Sequence, residues 1–286
     1  MLWALYSLLS GFFFATSDAA AKKIKLKDDY IIAWSRLFFS FPIILISIFF
    51  TSIPNLDTTF WASLLFNIPL EILAMVLYIK AIRISPLSLT LPFLSLTPVF
   101  LIIASYLFLQ EFPTIFGIIG ICLVAIGTYI LNLDKSSGGF LKPFKAAISE
   151  RGSLLMILVA FVFSITSNLV KVAILHSNTL FYFVFSTILL ILALTILFFG
   201  RIKKKFNLIK SDLKLLSLNG IFYGFSLLFH MLAVILVIVP YMVSIKRTSS
   251  IFGVLYGHFL FREKNIAQRL VGAVIMLSGA VLILLA

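Results

Sequence analysis

Ten apolar segments, most of them about 20 residues long, are the feature of this sequence that most limits its possible folds. They cover approximately residues 2–21, 30–50, 59–79, 87–109, 113–131, 153–175, 179–199, 215–238, 240–261 and 268–286. A helix needs about 20 apolar residues to cross the hydrocarbon core of a bilayer. The chain is 62% hydrophobic and 12% charged, and its mean hydropathy is +1.17. These properties predict an all-α integral membrane protein with ten transmembrane helices and no separate soluble domain.

The basic residues are concentrated in alternate connections between these segments. The odd-numbered connections hold 19 of the 23 Lys and Arg residues, and the even-numbered connections hold none. By the positive-inside rule, the odd connections face the cytoplasm and both termini face outside. The net charge of +13 is spread over five loops, so it indicates topology. The expected partners are the lipid bilayer and a small molecule, and no nucleic acid.

The two halves of the sequence are similar to each other. Each half has five predicted spans, an odd number, so the second half must enter the membrane the opposite way up. We therefore predict two inverted five-helix repeats, residues 1–134 and 153–286, joined by a cytoplasmic linker at 135–152. Inverted repeats are common in secondary transporters, in which two halves rock around a central site. A shift of 152 residues superposes Asn67 on Asn219, Ala81 on Ala233, Phe100 on Phe252, Glu111 on Glu263, Gly120 on Gly272 and Gly127 on Gly279.

One segment in each half carries a resemblance to a known family. These segments are LTPVFLIIASYLFLQEFPTIFGIIGICLVAIGTYIL and SSIFGVLYGHFLFREKNIAQRLVGAVIMLSGAVLIL, and each places a Glu near the end of one span and Gly-x6-Gly in the next. With the five-plus-five repeat, this pattern resembles the EamA-type branch of the drug/metabolite transporter superfamily. The resemblance implies a carrier in the cell (inner) membrane, without a cofactor, as a monomer or homodimer. The second half departs from the pattern by having Ser250 where the first has Pro98.

Two adjacent cations, Lys246 and Arg247, interrupt the ninth predicted span. Each cation near the centre of a span costs roughly 2.5 to 3.5 kcal/mol on insertion scales, so the pair needs compensation. We interpret the pair as an anion-binding element. Pairing with Glu71, or snorkelling to the membrane interface, is an alternative. The segment SIKRTSS also resembles the Lys-Arg element of sugar-phosphate translocators, which is associated with phosphate binding.

Other polar residues are expected near this pair. Counting from the outer turn between the eighth and ninth spans places His230 at the depth of Arg247, although a buried His is often a packing residue. The fourth span contains Pro92 and Pro98, which free carbonyl groups and favour a cavity-lining role. The predicted substrate-binding residues are Lys246, Arg247, His230, Asn168, Lys171 and Ser95.

Three further ionisable residues lie inside predicted spans. Glu71 lies near mid-membrane, where it is expected either to carry a coupling proton or to neutralise the cations as an internal counter-ion. Asp18 and Arg36 lie at the inner ends of the first two spans and are predicted to form a structural ion pair. The intramembrane acids lie on different spans and no His pair has ligand spacing, so neither an enzyme nor a metal site is expected.

The substrate class follows from these residues. The leading hypothesis is a secondary carrier of a small anionic metabolite, phosphorylated or carboxylated. The alternative is an exporter of amino acids or apolar drugs. The glycines at positions 120, 127, 272 and 279, spaced by seven residues in each half, are expected to make close helix contacts.

Overall fold

The structure is a computed structural model that describes residues 1–26, 28–84, 91–132, 150–261 and 266–286. Within these ranges every regular element is a helix, which confirms the predicted all-α class. Most of the predicted linker, the beginning of the predicted fourth span and Glu263 lie outside the described residues. The elements are α1 (Leu2–Lys22), α2 (Asp29–Phe38), α3 (Phe41–Ile48), α4 (Thr58–Ile84), a 3₁₀ helix (Leu91–Leu96), α5 (Thr97–Leu109), α6 (Ile115–Asn132), α7 (Arg151–Leu175), α8 (Thr179–Lys204), α9 (Phe206–Ser211), α10 (Leu213–Val234), α11 (Val239–Lys246), α12 (Ser249–Phe261) and α13 (Ile266–Leu285).

Five described segments are long and apolar enough to cross a membrane. They are Asp29–Ile48, Thr58–Tyr78, Arg151–Leu175, Thr179–Lys204 and Leu213–Val234. Shorter apolar helices cover Phe93–Leu109, Ile115–Leu131 and Arg269–Leu285. The chain is therefore a multi-pass helical protein by length and composition, and the full set of ten spans stays a prediction.

Two segments that the sequence indicated as continuous spans are broken. The second predicted span divides into α2 and α3 at Phe39 and Ser40, and Pro42 lies in the first turn of α3. Proline cannot donate to the preceding turn and is favoured at the start of a helix. The ninth divides into α11 and α12 at Arg247 and Thr248. There the Thr248 hydroxyl donates to the Ile245 carbonyl at 2.7 Å, a local bond that competes with the regular helical pattern.

The helix pairs that join the two halves are reciprocal. Helix α1 packs along α10, and α7 packs along α4. Under the sequence shift of about 150 residues, α1 corresponds to α7 and α10 to α4, so the same contact occurs twice. Helix α5 contacts α11, which belongs to the equivalent span of the other half. The halves thus meet along a shared, roughly symmetric interface.

Small residues bring the paired helices close together, which is how helices associate in lipid. A Cβ placed on Gly127 would lie 2.7 Å from the Gly272 carbonyl oxygen, and one on Gly279 would lie 2.6 Å from the Gly120 carbonyl oxygen. The predicted close contact of these glycines is therefore confirmed, between α6 and α13.

Hydroxyl groups join α1 to α10. Ser10 Oγ donates to the Ser226 carbonyl at 2.8 Å, and Ser226 Oγ donates to the Ser10 carbonyl at 2.8 Å. Both side chains are buried. These bonds fix the register of the two helices that carry much of the site described next.

Candidate functional site

The break between α11 and α12 places two cations at the interface between the halves. Lys246 is the last residue of α11, and Arg247 follows it. Arg247 Nη2 donates a hydrogen bond to Thr97 Oγ1 at 2.9 Å, and Thr97 begins α5 in the first half. Arg247 Nε is buried and has no hydrogen-bond partner. The guanidinium is thus held in place but retains an unused donor.

Lys246 lies beside aromatic rings. Its Nζ is 3.1 Å from His230 Nδ1, a hydrogen-bonding distance, and 5.5 Å from the centroid of the Phe14 ring. A cation over an aromatic face is stabilised by the ring quadrupole. Among the described residues, no Asp or Glu oxygen lies within 4 Å of Lys246 or Arg247. The pair therefore lacks a direct counter-ion.

Helix α1 lies directly against the break. A Cβ on Gly11 would be 2.8 Å from the Lys246 carbonyl oxygen and 3.4 Å from the Ser249 backbone nitrogen. Because the neighbouring atoms are backbone, a side chain at this position could be accommodated only by moving a helix. The absence of a side chain at Gly11 thus sets the distance between α1 and the cationic pair.

A cavity of about 80 Å³ adjoins His230, the residue that contacts Lys246, and neither Lys246 nor Arg247 lines it. Its wall includes Asn67 and Glu71 from α4, Tyr182 from α8, and Tyr223 and His230 from α10. Both halves of the chain therefore contribute to it. The Glu71 carboxyl group interacts electrostatically with Lys246 and lies close to Thr166. At about 30 Å³ per water molecule, the cavity has room for two or three waters.

The structure places Lys171 and Asn168 in other contacts. Lys171 forms an ion pair with Glu111 and donates to the Val237 carbonyl at 2.6 Å. Asn168 accepts from Ser105 Oγ at 2.8 Å and donates to the Ser164 carbonyl at 2.7 Å.

None of these contacts involves Lys246 or Arg247, near which Lys171 and Asn168 were expected to lie. Lys171 has its own counter-ion, and both polar groups of the Asn168 amide are satisfied. Ser95 is buried in the 3₁₀ helix, two residues before Thr97. A substrate-binding role for these three residues stays a prediction.

Asp18 and Arg36 are in contact. Arg36 Nη2 lies 2.6 Å from Asp18 Oδ1, and Arg36 Nε donates to Asn219 Oδ1 at 3.3 Å. The guanidinium also lies 5.2 Å from the ring centroid of Tyr223, a cavity residue. The ion pair is therefore connected to the cavity wall through an aromatic ring.

Sequence reasoning missed two of the residues that shape the cavity, Tyr182 and Tyr223. Nothing distinguishes them from the other tyrosines in the sequence. Asn67 did have a signal, because it coincides with Asn219 in the repeat. Among the described residues, no group of three or more His, Cys, Asp or Glu could hold a metal ion.

Comparison with known proteins gives a consistent picture. The model of the EamA-like transporter family matches residues 1–133 and 150–285. A solved structure titled "Crystal structure of protein" is similar with a TM-score of 0.72 and 12% sequence identity, over 99% of this chain and 97% of that chain. At this identity the likeness shows the fold alone. A search among curated proteins found no match.

Proposed function

Because the chain belongs to the EamA-like transporter family, and is thus a multi-pass membrane protein of a family that transports small solutes, we propose that it carries a small anionic metabolite by alternating access. The bound group is a phosphate or carboxylate, and Lys246 and Arg247 bind it. We further propose that ten spans form two inverted repeats in the cell (inner) membrane, and that the two halves move around the cavity. Transport of this kind needs no enzymatic step.

The observation that carries this proposal is the state of Arg247. A buried guanidinium costs several kcal/mol in a protein interior unless charges or hydrogen bonds compensate it. Among the described residues, Arg247 donates one hydrogen bond to a hydroxyl group and forms no ion pair with a carboxylate. Its Nε has no hydrogen-bond partner. An anion could accept hydrogen bonds from two nitrogens of the guanidinium side by side. Lys246 adds a compact positive charge one residue away.

Arg247 lies where helices of both halves begin. Helix α12 begins at Ser249 and α5 begins at Thr97, the residue that Arg247 contacts. The N–H groups of Ser250 and Ile251 already donate to carbonyls of the preceding turn, so the cations themselves supply the positive charge at this point. Broken helices whose ends meet a charged substrate are a recurring design of secondary transporters.

The size of the cavity supports alternating access. About 80 Å³ is well below the few hundred Å³ of a typical ligand pocket, so we expect helices to move apart when a substrate enters. The helices around the site contact each other across the two halves, as α1 does with α10 and α4 with α7. A rocking motion between the halves would enlarge the cavity without unfolding either half.

Binding measurements on purified protein test the proposal. Inorganic phosphate and small carboxylates should raise the melting temperature of the wild type, because a ligand that binds only the folded state stabilises it. Lys246→Gln and Arg247→Gln should each weaken binding by roughly 10- to 150-fold, the usual effect of losing a charge-assisted contact. Arg247→Lys should rescue only part of this loss because the planar fork is absent.

An exposed lysine provides the matched control. Lys210 lies on α9 with its side chain exposed, so Lys210→Gln removes the same charge without touching the site and should leave binding unchanged. Normal anion binding by both site variants would assign the pair a structural role. Failure of both variants to fold would do the same.

A further inference from the structure

Asn67 carries a buried polar atom that no protein group satisfies. The residue is 2% exposed and lines the cavity. Its Nδ2 donates to Tyr182 Oη at 3.0 Å, whereas its Oδ1 has no hydrogen-bond partner. Leaving a buried acceptor unpaired costs about 1 to 3 kcal/mol, so such groups are few in native proteins.

Tyr182 contacts one end of the Asn67 amide group. Asn67 Nδ2 donates to Tyr182 Oη at 3.0 Å. Oδ1, which can only accept hydrogen bonds, is the amide atom without a partner.

Glu71 supplies a second acceptor on the same wall. It follows Asn67 by four residues on α4, so both side chains lie on one face of the helix, and both line the cavity. His230 lines the same cavity and contacts Lys246. The cavity thus has acceptors at Asn67 and Glu71, and His230 on its wall connects it to Lys246.

We propose that Asn67 and Glu71 form a second subsite, which accepts hydrogen bonds from a hydroxyl or ammonium group of the transported molecule. The same molecule places its anionic group on Lys246 and Arg247, so this inference rests on the proposed function. The substrate class is a small anion that carries a hydrogen-bond donor near its charged group. Asn67 determines the preference for a donor, and the Glu71 charge determines whether an ammonium group is preferred to a hydroxyl.

Three carboxylates with the same carbon skeleton test the subsite. Propionate has no donor beside its carboxylate, lactate has a hydroxyl group and alanine has an ammonium group. Thermal shift titrations should show that wild-type protein binds lactate about 2- to 12-fold more tightly than propionate, the range expected for one neutral hydrogen bond. Asn67→Leu should abolish this advantage while leaving propionate binding unchanged.

Two further variants separate the roles of the residues. Glu71→Gln keeps the size of the side chain and should reduce the preference for alanine over lactate. Asn207→Leu is the control, because Asn207 is exposed on α9 and does not line the cavity. It should leave both preferences unchanged.

The outcomes distinguish the two proposals. Equal affinity for all three carboxylates in the wild type would overturn the subsite while leaving the anion site intact, and this comparison requires no variant to fold. A preference that survives Asn67→Leu would overturn the assignment to Asn67. If neither inorganic phosphate nor any of the three carboxylates binds, the proposed function is wrong, and the proposal of a second subsite is wrong as well.

Discussion

Arg247 donates a hydrogen bond to Thr97 at 2.9 Å, and this bond joins the fourth and ninth predicted spans, which occupy equivalent places in the two halves. Under the 152-residue repeat, Arg247 corresponds to Ser95 and Thr97 to Ser249. The bond therefore connects the end of the 3₁₀ helix in one half to the end of α11 in the other. A movement that separates α5 from α12 must break this bond or exchange it for one to substrate or water.

Helix α1 should control the position of this junction, and Gly11→Ala tests this role. The new Cβ would lie 2.8 Å from the Lys246 carbonyl oxygen, so α1 or α11 must move. We expect anion affinity to fall by about tenfold or more, since a displacement of about 1 Å can cost two orders of magnitude at a positioned site. Thermal shift titrations with inorganic phosphate measure the change.

Gly253→Ala is the control for this prediction. Gly253 lies in α12, and a Cβ there would meet nothing within 4 Å. Alanine has the higher helix propensity, so this variant should be as stable as the wild type or more stable by up to about 1 kcal/mol. Unchanged anion affinity in Gly11→Ala would show that α1 does not position the pair.

Sequence patterns predicted the helices better than their interruptions. The span expected at 153–175 is α7 (Arg151–Leu175), because 20 residues of apolar sequence define a helix of that length. The break at Arg247 and Thr248 was missed, because hydropathy averages over a whole span and two residues change it little. Depth along a span predicted the contact of Asp18 with Arg36. Lys171 contacts Glu111 and the Val237 carbonyl, an ion pair that depth along a span did not predict.

Lys171 and Glu111 should stabilise the fold rather than bind substrate. Their side chains are 7% and 18% exposed, and Glu111 also accepts from the Val239 backbone N–H at 3.1 Å. Removing one partner of a buried ion pair costs about 3 to 5 kcal/mol, because the other charge is left uncompensated. Lys171→Met and Glu111→Gln should each lower the melting temperature. The double variant should lose less than the sum of the two losses.

Anion binding by the Lys171→Met, Glu111→Gln double variant separates the two roles of Lys171. If the lysine serves only this ion pair, the double variant should bind phosphate as the wild type does. A loss of phosphate affinity comparable with that of Arg247→Gln would indicate that Lys171 also binds substrate. Strict additivity of the two stability losses would show that the pair is not coupled.

The orientation of the chain can be tested with single cysteines. Cys122 is the only natural cysteine, so a Cys122→Ser variant provides the background. Asn55 and Asn207 both have exposed side chains, and they lie in an even-numbered and an odd-numbered connection, respectively. The charge pattern predicts that Asn55→Cys reacts with an impermeant thiol reagent on intact cells and that Asn207→Cys reacts only after permeabilisation. The reverse pattern would mean that the protein is oriented the other way.

The connection between α1 and α2 should be stabilised by a pH-dependent contact at Asp28. Asp28 Oδ2 accepts from Lys205 Nζ at 2.6 Å, and Oδ1 accepts from the Ile31 backbone N–H at 3.4 Å. Burial raises the pKa of Asp28, but the hydrogen bonds and the charges of Lys205 and Arg201 outweigh it, so the pKa lies below the usual value of 3.8.

A depressed pKa means that the stabilisation is fully present above the unfolded-state pKa and is lost as the pH falls through the lower, folded-state pKa. Asp28→Asn should therefore destabilise the protein by about 1 to 2 kcal/mol at pH 7. The difference between this variant and the wild type in the free energy of unfolding should stay constant down to about pH 5 and shrink below pH 3.8. Melting temperatures of Asp28→Asn, Lys205→Gln and the double variant across this range measure it. A loss of stability that stays the same at pH 3 would show that the shape of the carboxyl group, and not its charge, stabilises this connection.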